Sequence, residues 1–219
     1  MKRRIEDYAT LVFDCDGVVL CSNKVKTEAF FKTALPFGEA PARALVDYHV
    51  ANGGISRYKK FAYFIDQILP SSLPDGVEAS LDILLDNYAS TVRLGLLKSE
   101  VAPGLQSLRE KTPDARWLIV SGGDQEELRD VFTQRGLADY FNGGIFGSPD
   151  TKDEILAREL GIGNIHKPAL FLGDSKYDFK AAAGAGLDFI FLSKWSEVSE
   201  WDQWVEEHGL SHRSRLSDL

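Results

Sequence analysis

Cysteine is scarce in this sequence. Only Cys15 and Cys21 occur, too few for a disulfide framework and without the companion cysteines or histidines of a zinc site. Positive charge is also short: 25 lysines and arginines against 33 aspartates and glutamates leave a net charge of -8. No excess positive field exists to draw in nucleic acid or an anionic membrane surface. No run of about 18 apolar residues is present, so no membrane-spanning helix is expected. The apolar stretch that follows the basic start MKRR is too short for a signal peptide. The expectation is a cytoplasmic protein with two reduced thiols. What is abundant is core-forming material, 44% hydrophobic and 11% aromatic, which excludes disorder as the main state. A chain of 219 residues holds one medium domain, or one domain carrying a smaller insertion.

Four short, continuous apolar runs read as strands covered on both faces: ATLVFD (9–14), RWLIV (116–120), ALFLGD (169–174) and LDFIFL (187–192). Helical segments alternate with the later ones. They are PGLQSLREK with Pro103 in its first turn, DQEELRDVFTQRG closed by Gly136, TKDEILARELG closed by Gly161, and SKYDFKAAAGAG. This alternation predicts a doubly wound, Rossmann-like parallel sheet. Residues 22–99 interrupt it with apolar residues at helical spacing and almost no strand signal. Four helices are expected there, broken at Pro36 to Gly38, at Asn52 to Gly54 and at PSSLPDG (70–76). The predicted organisation is a core from residues 1–21 and 100–219 with a helical insertion at 22–99. SEWDQWVEEHG suggests a last helix packing Trp201 and Trp204, and SHRSRLSDL a loose tail.

Ligands of a doubly wound sheet sit at the carboxyl ends of its strands, and here those ends are polar. Asp14, Cys15, Asp16 and Gly17 end the first, Ser121, Gly122 and Gly123 the second, and Gly173 and Asp174 another, with Asp178 one helical turn later. Lys152 opens the helix after GSPD. Crowded carboxylates repel unless a cation offsets them, and hard oxygen donors suit Mg²⁺. A phosphoryl group placed beside that ion takes hydrogen bonds from Ser121 and the Gly122 N–H and charge from Lys152. Taken singly, each motif also has a plain reading: SGG as a strand-to-helix turn, and Lys152 as an ordinary lysine beside a Thr151/Glu154 capping box.

Together, LVFDCDGVV, SGG at 121–123, Lys152 in GSPDTKDEIL, and GDSKYDFKAAAGAG resemble the haloacid dehalogenase superfamily in all four of its motifs, in order, over residues 9 to about 193. The insertion is similar to the helical C1-type cap of the phosphoglycolate phosphatase and β-phosphoglucomutase branch. The resemblance implies that Asp14 is a nucleophile forming an aspartyl-phosphate and that Asp16 is the general acid and then base. It implies Mg²⁺ on the Asp14 carboxylate, the Asp16 carbonyl, Asp174 and Asp178, with Ser121, Gly122 and Lys152 on the phosphoryl group. An acidic residue at position 16 favours phosphate-ester cleavage over dehalogenation. The implied activity is a Mg²⁺-dependent phosphatase for a small phosphorylated metabolite, with a phosphomutase as the alternative and a silent phosphate-sensing module as a third reading. In the insertion, HVANGGISRYKKF sets His49, Asn52, Ser56 and Arg57 around a glycine break, and Arg57 is the candidate for a second anion or sugar contact. Cys15 is expected to point into the core, and Trp195, Trp201 and Trp204 to serve packing.

Overall fold

A computed structural model describes residues 3–69 and 79–219. Its centre is a six-stranded, all-parallel sheet in the order β3-β2-β1-β4-β5-β6. The strands are β1 (Thr10–Phe13), β2 (Arg116–Asp124), β3 (Gly144–Ser148), β4 (Ala169–Gly173), β5 (Asp188–Leu192) and β6 (Ser211–Arg213). Every residue of β1 is buried, because alternate side chains enter the two layers on either side of the sheet. Leu11 and Phe13 join one apolar cluster with Trp117 and Ile119, while Val12 joins the other with Leu118, Val120 and Phe171. That two-sided burial is why the strand sequences are unbroken apolar runs.

Helices α1 (Asn23–Ala34), α2 (Glu39–Ala51), α3 (Arg57–Tyr63) and α4 (Leu81–Lys98) form the insertion, with a π-helical turn Phe64–Ile68 prolonging α3. Their shared core is aromatic: the Phe30 ring packs tilted against Tyr88 and Phe61, with centroids 4.4 Å and 5.1 Å away. The break at Pro36 to Gly38 falls between α1 and α2, and the one at Asn52 to Gly54 between α2 and α3. The PSSLPDG break lies outside the described residues. The chain leaves for these helices and returns from them side by side, with Leu20 bridged to Val101 and the Cys21 N–H donating to the Glu100 carbonyl at 2.9 Å. The remaining helices are α5 (Leu105–Lys111), α6 (Gln125–Gln134), α7 (Lys152–Gly161), α8 (Lys176–Gly184) and α9 (Trp201–Glu207).

Several sequence expectations need correction. Two strands beyond the four predicted complete the sheet. β3 escapes the pattern because glycines interrupt GGIFGS, and β6 because it is a three-residue edge strand of polar residues. The C-terminal tail is therefore not loose: β6 pairs with β5, and Leu216 is buried beyond it. Pro103 precedes α5, whose cap is Gly104, and the left-handed glycine after α7 is Gly163, two residues past Gly161. The core positions of Cys15 and Trp204 agree with the sequence reading.

Register fixes where the polar ends meet. Phe13 pairs with Ile119 on one side and Leu172 on the other, so Asp14 and the residues that follow Ile119 in β2 and Leu172 in β4 emerge at one rim. The strand order turns about at β1 and β4, and the rim is at that switch point.

Candidate active site

Asp14 follows β1 directly and is 4% exposed. Its Oδ1 accepts the Cys15 N–H at 2.8 Å and lies 2.9 Å from Lys152 Nζ. Lys152, placed by the Thr151/Glu154 capping box at the start of α7, also pairs with Asp178 Oδ1, so one buried ammonium bridges two carboxylates. The other Asp178 oxygen accepts from the Ser175 N–H at 3.0 Å and the Ser175 hydroxyl at 2.7 Å, which fixes the entrance of α8. Asp174 Oδ2 accepts from the Asn23 side chain at 2.7 Å. Gly17 makes this packing possible. Its φ is +75°, and a Cβ there would come within 1.9 Å of Asp174 Oδ2.

Oxygens of Asp14, Asp174 and Asp178 all lie within 4.8 Å of one another, all buried. Lys152 offsets only part of that charge. Burial, followed by repulsion from Asp14 and Asp178, drives the Asp174 carboxyl well above the usual range. Burial likewise pushes Asp14 up to about 7, with Lys152 opposing and Asp178 and Asp16 adding to the rise. A donor set of close, desolvated carboxylate oxygens that resist ionising together suits a divalent cation. The signs give a pH prediction. Asp14 and Asp174 hold protons in the folded state at pH values where the unfolded chain has lost them, so metal-free stability should fall as pH rises from about 4 through 7. Melting temperatures at pH 5.5 and 8 should show Mg²⁺ stabilising several degrees more at pH 8. An equal or larger shift at pH 5.5 would contradict the carboxylate site.

Asp16 is held differently. Its carboxylate takes hydrogen bonds from the Ser22 hydroxyl at 2.5 Å and from Lys26 Nζ at 2.5 Å. Burial works against its charge, but Lys26 and Ser22 outweigh this and keep its pKa below the ordinary value. Ser121 is fully buried beyond β2's apolar run, and its Oγ accepts the Gly123 N–H at 3.0 Å, leaving its own proton free to donate. β2 continues through a bulge to Asp124, the N-cap of α6, so Gly122 lies in an extended segment and not at a helix entrance.

Two elements meet at Gly122. A Cβ there would come within 2.2 Å of the Gly54 carbonyl, so the glycine break between α2 and α3 rests directly on the rim. Between the insertion and the rim is a cavity of about 690 Å³, lined by Asp14, Asp16, Asp174 and Gly122 on one side and by His49, Arg57 and Lys60 among others on the opposite one. Asn52 also lines it, its amide donating to the Tyr48 carbonyl, while Ser56 caps α3. Arg57 lines the cavity wall, but its guanidinium is occupied by both oxygens of Glu127 on α6. Sequence reasoning overlooked Ser22, Asn23, Lys26, Lys60 and Glu127. Ser22 is the N-cap of α1 and Asn23 and Lys26 lie in its first turn, a few residues after LVFDCDG, where proximity to the motif was the only available signal.

The haloacid dehalogenase-like hydrolase family matches residues 8–186 of this chain. The chain belongs to that family. Solved structures agree with the fold of this haloacid dehalogenase-like hydrolase. CbbY from Rhodobacter sphaeroides, solved with phosphate, is 17% identical at a TM-score of 0.69, covering 97% of this chain and 96% of its own. The same protein as a mutant with xylulose 1,5-bisphosphate gives 0.71 at 17% identity, with 97% and 96% covered. A predicted phosphoglycolate phosphatase from Haemophilus somnus gives 0.72 at 15% identity, covering 96% of each chain. No curated protein matches the sequence.

Proposed function

We propose that this hydrolase is a Mg²⁺-dependent phosphatase that cleaves a small phosphorylated metabolite through an aspartyl-phosphate at Asp14. The observation that carries the reading is the convergence of Asp14, Asp16 and Asp174 on one end of the cavity, with Lys152 paired to Asp14. The phosphate and sugar bisphosphate bound by solved neighbours support a substrate of this class. Residues 22–99 then act as a cap over a core formed by 1–21 and 100–219.

In the first half-reaction an Asp14 oxygen forms a bond to phosphorus while the bond from phosphorus to the leaving oxygen breaks. Asp16 gives that oxygen its proton. In the second half, Asp16 takes a proton from water as the water attacks phosphorus, and Asp14 is released. Lys152 and Ser121 hold the phosphoryl oxygens, and Lys152 keeps Asp14 positioned. Mg²⁺ on Asp14, the Asp16 carbonyl, Asp174 and Asp178 would neutralise charge on the transferring group. The Lys26 contact leaves Asp16 ionised, which suits the second half. Its acid role requires Lys26 to move away, and an arriving anionic substrate competes for that lysine. The family match is to hydrolases and does not favour the mutase alternative, and Arg57, the residue considered for a second phosphate, is paired with Glu127.

The test is phosphate release from p-nitrophenyl phosphate and from a panel of phosphorylated metabolites, with Mg²⁺ and after chelation. Metal-dependent release is expected, and no release from any ester would overturn the reading. Asp16→Asn should lower kcat about a hundredfold or more on alkyl phosphates, whose leaving oxygen needs a proton, and markedly less on aryl phosphates. Equal losses on both would remove Asp16 from the acid role.

A further inference from the structure

Asn23 stands in the first turn of α1, where the chain has just left the sheet for the insertion, yet its amide reaches back to the rim. Its Nδ2 donates to Asp174 Oδ2 at 2.7 Å and to the Trp195 carbonyl at 2.8 Å. A main-chain carbonyl can only accept, so the nitrogen end of the amide faces these partners and both of its protons are used. Gly17 lies against the same pair. A Cβ there would strike both Asn23 Nδ2 and Asp174 Oδ2, so the missing side chain is what lets the amide reach the carboxylate. The backbone of Asp174 is held as well, its carbonyl accepting from the Ser196 hydroxyl at 2.5 Å. Trp195 and Ser196 follow β5, so one carboxylate is braced from α1 and from that segment together.

These bonds set the two oxygens of Asp174 apart. Oδ2 is held by the amide and packed on Gly17, whereas Oδ1, among the described residues, accepts no hydrogen bond although Asp174 lines the cavity. A carboxylate held in this way offers a cation one oxygen. Mg²⁺ is satisfied by single oxygens in an octahedral shell at about 2.0–2.1 Å, while Ca²⁺ takes about six to eight ligands at longer range and gains from carboxylates that bind through both oxygens. The restraint therefore acts unequally on the two ions.

We propose that Asn23 is a positioning residue for the cation site: by holding Asp174 Oδ2 it presents Oδ1 alone, and so shifts the preference of the site toward Mg²⁺ and away from Ca²⁺. The proposal rests on the metal-dependent phosphatase reading, which makes Asp174 a ligand. It adds a residue outside the four sequence motifs, one that acts on the ion only through another side chain.

The test is calorimetric titration of the chelator-stripped protein at pH 8 with Mg²⁺ and, separately, with Ca²⁺. Asn23→Leu keeps the branched shape and removes both donors. It should weaken Mg²⁺ binding by about tenfold or more, the usual loss when a group that orients a metal ligand is removed. Ca²⁺ binding should weaken by about threefold or less, because the released carboxylate can then bind through both oxygens. Asn23→Asp has the same size with no proton to donate, and its added oxygen should move the ratio of the two dissociation constants in the same direction. It also serves where leucine perturbs the fold. A native ratio retained in both variants, or an equal loss for both ions as a merely structural role would give, overturns the proposal. If the native protein binds neither ion, the metal site fails and the phosphatase reading with it. If it binds Mg²⁺ and the Asn23 variants bind both ions as the native protein does, this proposal alone falls.

Discussion

Asp14→Asn should abolish turnover, with kcat falling by about 10⁴-fold or more, while the protein keeps its fold. The amide occupies the volume of the carboxylate at a site that is 4% exposed, so no cavity is left. It has no lone-pair charge with which to attack phosphorus. The substitution also removes one of three mutually repelling carboxylates, so the metal-free variant should melt no lower than the native protein at pH 8, where that repulsion is greatest. Burst kinetics and a thermal melt check both halves. Near-native turnover in a variant whose amide is shown by mass to be intact would remove Asp14 from the nucleophile role. A large fall in melting temperature would contradict the electrostatic account of the site.

Lys152→Met should have the next largest effect, and on stability as well as on rate. The native ammonium is fully buried and bridges Asp14 and Asp178, which raises its own pKa above the ordinary lysine value despite the burial that opposes it. Methionine fills much of the same space but leaves three buried carboxylates with no cation. Breaking a buried pair by deleting one partner costs about 3–5 kcal/mol. Urea unfolding in chelator at pH 8 should show a loss of that order. At pH 5 the loss should shrink, since protonated carboxyls no longer repel. In the proposed mechanism turnover should drop by about a thousandfold, because the phosphoryl oxygens would lose a charge partner. A variant as stable as the native protein at pH 8 would mean that Lys152 is not what balances the cluster.

Much of this molecule is legible in its sequence because the relevant signals are local. A strand buried on both faces must be apolar throughout, so TLVF and ALFLG declare themselves, and a helix declares itself by its caps, as Thr151 and Glu154 do. The four motifs fall at strand ends, and strand ends are visible where apolar runs stop. Elements whose backbone pairing outweighs their side-chain pattern stay hidden, such as glycine-rich β3 and polar β6.

The insertion marks the boundary of that legibility. Its helices and the break at Asn52 to Gly54 can be read from spacing, and the sequence singles out Arg57 as a basic residue near that break. Charge pairing across the cavity cannot be read in the same way. Glu127 lies 70 positions from Arg57 and closes on it only because α6 and α3 are brought together over the rim. Lys26 reaches Asp16 from the turn of α1, and Lys60 is left beside His49. The sequence by itself determined four of the six strands, the family and the four motif positions, since those depend on burial and backbone propensity along short stretches. Which basic side chains of the cavity meet a carboxylate was decided by tertiary structure alone, because Coulomb energies depend on distances and desolvation that exist only after the chain has folded.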